Sequence, residues 1–139
     1  MGEPFRHRLR VRYHECDPQG VVFNANYLAY FDMGITELFR EALGGYQTMF
    51  EKGVDIVVAE ARVRYLAPLR FDDEFELVVA VADLGTTSMR TELAVEHEGE
   101  TAAEGELRHV FIDRNQGAKA PIPDQVRAAL EPHQASLHK

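Results

Sequence analysis

The sequence predicts an α+β domain in which one long amphipathic helix packs on an antiparallel sheet. Three observations carry that prediction. Apolar residues recur three and four apart between positions 24 and 43. The segments on either side alternate apolar and polar residues, the period of a strand with one buried face. The later alternating runs follow one another through short turns, and short connections join antiparallel neighbours.

Residues 5–13 open the chain as a strand. Phe5, His7, Leu9, Val11 and Tyr13 share one face, and Arg6, Arg8, Arg10 and Arg12 share the other. That arginine face reads as a solvated or subunit-facing surface, and its charge discourages edge pairing. Asp17-Pro18-Gln19-Gly20 is turn chemistry. The helix over 24–43 buries Leu28, Phe31, Ile35, Leu38 and Ala42, widened by Tyr27 and Phe39. Asn24 and Asn26 are candidate N-caps, and Gly44-Gly45 is the stop. A short helical turn is expected around 46–52.

Strand patterns then take over. In 57–65, Val57, Ala59, Ala61, Val63 and Tyr65 are placed on one face, opposite Glu60, Arg62 and Arg64, and Pro68 closes the run. Phe75, Leu77, Val79 and Val81 alternate next, then Met89, Thr91, Leu93 and Val95. Gly85 and Gly99 punctuate the hairpins. The last strand spans about 102–113, with Leu107, His109 and Phe111 together, and His109 reads as a hydrogen-bonded core histidine. A weak helix over 124–131 follows, and the tail 131–139 is expected to fray.

The chain has 139 residues, the length of one domain, here 1–139 with a core over about 5–130. Fifteen Lys and Arg against 23 Asp and Glu leave a net charge of −8, which argues against general nucleic-acid binding. A single cysteine, Cys16, excludes an intrachain disulfide. No signal-peptide pattern and no membrane-length apolar run are present, so the expected setting is the cytoplasm.

Chemistry concentrates in residues 13–27, the loop between the first strand and the helix. His14, Glu15, Cys16 and Asp17 stand beside a helix N-terminus, whose unpaired N–H groups and partial positive charge polarise a carbonyl or hold an anion. A nearby carboxylate is positioned to attack such a carbonyl or to activate water. Asp17 also reads as a plain turn residue bonding its own backbone. Cys16 with His14 reads as a nucleophile pair or as a small buried thiol with an unrelated neighbour. Four adjacent residues do not easily converge on one ion, so no metal is expected. Glu37 is a second candidate carboxylate.

Asp17-Pro-Gln-Gly-Val-Val-Phe with Asn26-Tyr27-Leu28 resembles the signature of the 4-hydroxybenzoyl-CoA thioesterase family, including its tol–pal-associated branch. Arg64-Tyr65-Leu66-Ala67-Pro68 with Asp72-Asp73, and Val110-Phe111-Ile112-Asp113 with Lys119-Ala120-Pro121-Ile122-Pro123, resemble later family segments. The resemblance covers roughly residues 5–130. It implies a hotdog fold, one central helix wrapped by a five- or six-stranded antiparallel sheet, assembled as a homodimer or homotetramer with sites between protomers. It implies an acyl-CoA thioesterase that releases a carboxylic acid and free CoA. Asp17 would be nucleophile or general base, and backbone N–H groups near Asn24–Tyr27 would hold the oxyanion. Where many relatives carry histidine this chain has Asn24, whose amide donates a hydrogen bond but does not exchange protons. Met33-Gly34-Ile35 departs from the charged stretch of the tol–pal branch.

The implied substrate-binding set is Tyr13, Gly20, Val21, Phe23, Asn26 and Tyr27. Arg62, Arg64, Arg114 and Lys119 are candidates for the CoA phosphates, each readable also as a surface charge. No metal and no cofactor is implied, CoA being part of the substrate. Two other readings stand beside hydrolysis: a non-catalytic acyl-CoA binder, and a hotdog hydratase or dehydratase, which ordinarily needs the histidine that Asn24 replaces.

Overall fold

The long helical repeat forms α1, Asn26–Leu43, and its packing organises the rest. The computed structural model describes residues 2–138. Five strands make one antiparallel sheet: β1 Phe5–Arg10, β2 Val54–Tyr65, β3 Glu74–Leu84, β4 Ser88–His97 and β5 Glu100–Asp113. Their spatial order is β1-β3-β4-β5-β2. Two short helices complete the chain, α2 Gln47–Glu51 and α3 Asp124–Leu130. Among the described residues, no helix is long and apolar enough to cross a membrane.

Helix α1 lies on the sheet face that carries Leu77, Val79, Met89, Leu93, Leu107 and Phe111, all buried. Gly34 marks the close approach, because a Cβ there would stand 3.0 Å from Val79 Cγ2. The helix buries Tyr27, Tyr30, Phe31, Ile35, Leu38 and Phe39. Full burial of each such side chain contributes on the order of 1.5–3 kcal/mol. The expected stripe is corrected at one end: Leu28 is exposed, and Tyr30 takes the buried position. Gly44 closes the helix in the left-handed region at φ 78°, its N–H donating to the Arg40 carbonyl.

Strand β2 corrects a second expectation. A bulge between Val58 and Glu60 inserts one residue into the ladder with β5. Val58 therefore pairs with inward-facing His109, and Ala61, Val63 and Tyr65 pair with Leu107, Gly105 and Ala103. Val57 pairs with Val110 on the opposite face, where strict alternation does not place it. The outer face is a lattice of ion pairs. Arg6 meets Glu76 and Glu96, Arg8 and Arg10 meet Glu74, and Arg90 meets Glu92 and Glu106.

The segment after α3 was expected to fray and is instead tied down through residue 138, Lys139 lying outside the described residues, as does Met1. Gly2 donates its N–H to the Gln134 carbonyl at 2.9 Å, and Glu3 to that of Pro132 at 3.0 Å. Ala135 N–H reaches the Val81 carbonyl at 3.1 Å. The buried carboxylate of Glu92 then accepts the N–H groups of Leu137 and His138 at 2.7 and 3.2 Å. Burial alone would raise the Glu92 pKa, but these hydrogen bonds and Arg90 bring it below the usual carboxylate range.

Gly105 on β5 admits the Phe31 ring. A Cβ at this position would overlap the Arg62 carbonyl oxygen and stand 2.6 Å from Phe31 Cε2. Gly105→Ala is expected to lower stability by about 2 kcal/mol or more, read as a shift in the midpoint of urea unfolding. An unchanged midpoint would show that β2 and Phe31 yield freely here.

Candidate active site

The loop from β1 to α1 is built around the carboxylate of Glu15, which is 6% exposed. A 3₁₀ turn over Tyr13–Glu15 directs it inward. Its Oε1 accepts the Arg12 backbone N–H and the Tyr30 hydroxyl, both at 2.8 Å, and its Oε2 accepts the Arg12 guanidinium at 3.2 Å. The Glu15 carbonyl takes the Phe23 N–H at 2.9 Å and the Asn26 side-chain amide at 2.8 Å. One residue thus fixes both ends of the loop to the first turns of α1. Burial pushes the Glu15 pKa up, but the Arg12 N–H, the Tyr30 hydroxyl and the guanidinium outweigh it and hold it below the usual range. The same burial, with the carboxylate beside it, pushes the Tyr30 hydroxyl well above the ordinary phenol.

The turn expected at 17–20 is present. Asp17 N–H donates to the Val21 carbonyl, and Gly20, at φ 83°, donates to the Asp17 carbonyl, both at 2.9 Å. Asp17 Oδ1 accepts the Gln19 N–H at 2.9 Å. The turn reading of Asp17 is therefore real, and it commits one carboxylate oxygen. Among the described residues Oδ2 accepts no hydrogen bond.

Asp17 borders an open cleft of about 380 Å³ between this loop, the start of α1 and the chain leaving β2. Asn24, Val21 and Tyr27 border it too, so the structure brings these predicted residues together. The far wall is Tyr65, Leu66, Ala67 and Pro68. Tyr65 donates its hydroxyl to the Asn24 carbonyl at 3.0 Å and meets Tyr27 edge-to-face at 5.3 Å.

The helix N-terminus differs from the expectation. Neither asparagine caps it: Ala25 stands at the N-cap with no side-chain bond, because the Asn26 amide reaches back to Glu15. The N–H groups of Asn26 and Tyr27 are spent on the Phe23 and Asn24 carbonyls. Among the described residues, the N–H groups of Val21, Asn24 and Ala25 have no hydrogen-bond partner, and Val21 and Asn24 line the cleft.

The other predicted residues lie apart from this group. Gly20 shapes the turn. Phe23 is partly exposed, and Tyr13, 78% exposed, packs edge-to-face on Phe71 at 5.6 Å outside the cleft. Arg62 and Arg64 pair with Glu106 and Glu104 across the ladder. Arg114 sits over the Phe50 ring at 4.2 Å, and Lys119 bridges to Ile112. Tyr65 pairs with Ala103 at one end of the β2–β5 ladder, and Asp113 pairs with Val54 at the other. At about 3.3 Å per residue, some 30 Å of sheet separates those two cations from the Asp17 cleft within one chain. Glu37 is engaged by Arg40 at 3.0 Å. Burial and the neighbouring Glu15, Asp17 and Asp73 carboxylates push the Cys16 thiol up, the wrong direction for a nucleophile. Among the described residues, no group of three or more His, Cys, Asp or Glu side chains is arranged to hold a metal ion.

Two contributors escape the sequence reading. Glu15 reads as one acid among four polar neighbours, and only its partner Tyr30, fifteen residues on, reveals its role. Tyr65 had a signal, since it lies in the Arg64–Pro68 segment, but its contact with Asn24 is made by the fold.

Residues 11–130 match the model of the thioesterase-like superfamily. The acyl-CoA thioester hydrolase YbgC of Escherichia coli is 30% identical over 128 residues, covering 91% of this chain and 96% of the relative. A hypothetical protein from Aquifex aeolicus superposes with a TM-score of 0.86 at 30% identity, covering 91% of this chain and 99% of that one. A gentisyl-coenzyme A thioesterase superposes at 0.81 with 26% identity, covering 91% and 99%. The chain belongs to the thioesterase-like superfamily and has its hotdog fold.

Glu15 supplies a test of how the loop is held. Its pKa is depressed on folding, so the stability it contributes is present above the unfolded value near 4.5 and is lost as pH falls through the folded value. Glu15→Gln is expected to cost about 1–3 kcal/mol at pH 7, with the deficit shrinking below pH 4.5. Urea unfolding at pH 7 and pH 3 measures both, and an equal deficit at the two values would mean that the charge is not what matters.

Proposed function

We propose that this protein is an acyl-CoA thioesterase, hydrolysing the thioester to a carboxylic acid and free CoA. The observation that carries the reading is the Asp17 carboxylate, one oxygen uncommitted, at an apolar-walled cleft lined by Val21 and Asn24, whose N–H groups are free. The superfamily and the named activity of the Escherichia coli relative support it.

In this mechanism the thioester carbonyl lies in the cleft with its oxygen toward those N–H groups. Donors fixed before the reaction stabilise the developing oxyanion without reorganising. Asp17 either attacks the carbonyl carbon, giving an anhydride that water then cleaves to the acid and the free carboxylate, or takes a proton from water that attacks the carbon directly and passes it to the leaving sulfur. In both routes the carbon–sulfur bond breaks, and the CoA thiolate leaves and is protonated. Asn24 offers its amide as a further donor and carries no proton in or out. No cofactor takes part, since CoA enters as substrate. The 4-hydroxybenzoyl-CoA thioesterase family is the nearest place within the superfamily, and the cytoplasm is the proposed setting.

The proposed assembly is a homodimer, paired again into a homotetramer. Strand β2 ends the sheet with one edge open, and Val57, Val58 and Tyr65 along it are 44–53% exposed. A long edge of this kind is a template for pairing with another chain.

Thiol release from a panel of acyl-CoAs tests the reaction. Asp17→Asn is expected to lower kcat by at least about 100-fold while leaving the melting temperature in place. Full turnover in Asp17→Asn would overturn the assignment.

A further inference from the structure

Asn24 lines the Asp17 cleft and brings to it a free N–H group and a side-chain amide. That side chain is exposed and makes no hydrogen bond among the described residues, so the backbone sets where Asn24 stands. On one flank, the Phe23 N–H donates to the Glu15 carbonyl at 2.9 Å. On the other, the Asn24 carbonyl accepts the Tyr27 N–H at 3.2 Å and the Tyr65 hydroxyl at 3.0 Å. The peptide that carries the Asn24 N–H thus lies between a tether to the β1–α1 loop and a tether to β2.

Tyr65 is itself held firmly. It pairs with Ala103 at the end of the β2–β5 ladder. The next two residues, Leu66 and Ala67, both donate their N–H groups to the Ala102 carbonyl, at 2.9 and 3.0 Å. The Tyr65 ring meets Tyr27 edge-to-face at 5.3 Å, and Tyr27 is packed in the core at 3% exposure. The rest of Tyr65 is open to solvent, at 53% exposure, whereas Tyr30, which supports the fold, is buried. Were the Tyr65 hydroxyl lost, water would reach the Asn24 carbonyl and satisfy it. Water would not hold that carbonyl in one direction.

We infer that Tyr65 is a positioning residue for thioester hydrolysis: by holding the Asn24 carbonyl it aims the Asn24 N–H at the developing oxyanion. This inference rests on the hydrolase reading of the Asp17 cleft. The hydroxyl is spent on a backbone carbonyl, so Tyr65 acts through Asn24 and not on the substrate. A donor stabilises the oxyanion best when its direction is set before the reaction. Misplacement by about 1 Å can cost on the order of 100-fold in rate. Such a donor is used in the transition state more than in the ground state, so the tether acts on kcat and leaves substrate binding alone.

Tyr65→Phe tests this, since it removes the hydroxyl and keeps the ring on Tyr27. With the acyl-CoA that the wild-type protein hydrolyses fastest, kcat is expected to fall about tenfold while KM stays within about twofold. The urea midpoint should hold, because the lost hydroxyl belongs to an exposed side chain. In amide NMR spectra of the full chain, the Asn24 and Ala25 signals should move, and those of Glu15 and Tyr30 should not. Tyr65→Leu, which also takes away the ring, should lower kcat at least as far. Several results would overturn the role. Unchanged kcat in Tyr65→Phe would remove it outright, and so would unmoved Asn24 and Ala25 signals, whatever the turnover. A KM that rises while kcat holds would put the hydroxyl on the substrate, and a lowered urea midpoint would make Tyr65 a support of the fold. The hydrolase reading fails on different results: no thiol release by the wild-type protein from any acyl-CoA, or full turnover in Asp17→Asn.

Discussion

The buried Glu15 carboxylate and its hydrogen bonds hold the functional loop to the helix, and the cleft depends on them. A carboxylate taken out of water is costly unless its oxygens are occupied. Here Arg12 and Tyr30 occupy them, while the backbone of the same residue receives Phe23 and Asn26. Leaving such a buried carboxylate short of a hydrogen-bond partner costs about 1–3 kcal/mol. The interaction fixes where the chain enters α1, and so where the Asn24 and Ala25 N–H groups lie. It also consumes the side chain of Asn26, a candidate cap for the helix. Asn26 serves the loop instead, and the helix begins at Ala25 without a side-chain cap.

The sheet divides the labour of the sequence between its two faces. The inner face is apolar and close-packed against α1, with Gly34 and Gly105 allowing backbone and ring to approach. The outer face is covered by arginine–glutamate pairs that stay largely exposed. Such pairs contribute about 0–1 kcal/mol each, so their main effect is on solubility and register rather than on net stability. Glu92 is the exception. It is buried under the C-terminal segment, where backbone N–H groups complete its shell.

Much of this was legible in the sequence because it rests on periodicity. The long helix, the four later strands and the Asp17 turn are local patterns, and they appear within a few residues of where alternation and spacing put them. Leu28 misled because it continues the apolar spacing of α1 yet falls where the sheet does not reach. Val57 misled because one bulged residue at Ala59 reverses the phase of β2. The Glu15–Tyr30 contact, the union of Tyr65 with Asn24 and the anchoring of residues 134–138 were not legible. Each joins residues distant in sequence, and none leaves a periodic trace. The four candidate cations were chosen by residue type alone, which says nothing of where on the sheet a charge stands.

Gly2 and Glu3 are bonded to Gln134 and Pro132, and that pairing makes the chain a closed circuit. The start of the chain, and with it β1 at one edge of the sheet, is secured by residues that come after every other element has formed. Nascent chain leaving the ribosome lacks that clasp until residues 132–134 have emerged. Closure across so many residues carries a loop entropy that grows only with the logarithm of its length, so two or three backbone bonds and the Glu92 anchor are a proportionate means of securing it. Loss of either segment releases the other, and residues 2–3 and 132–134 therefore behave as one thermodynamic unit.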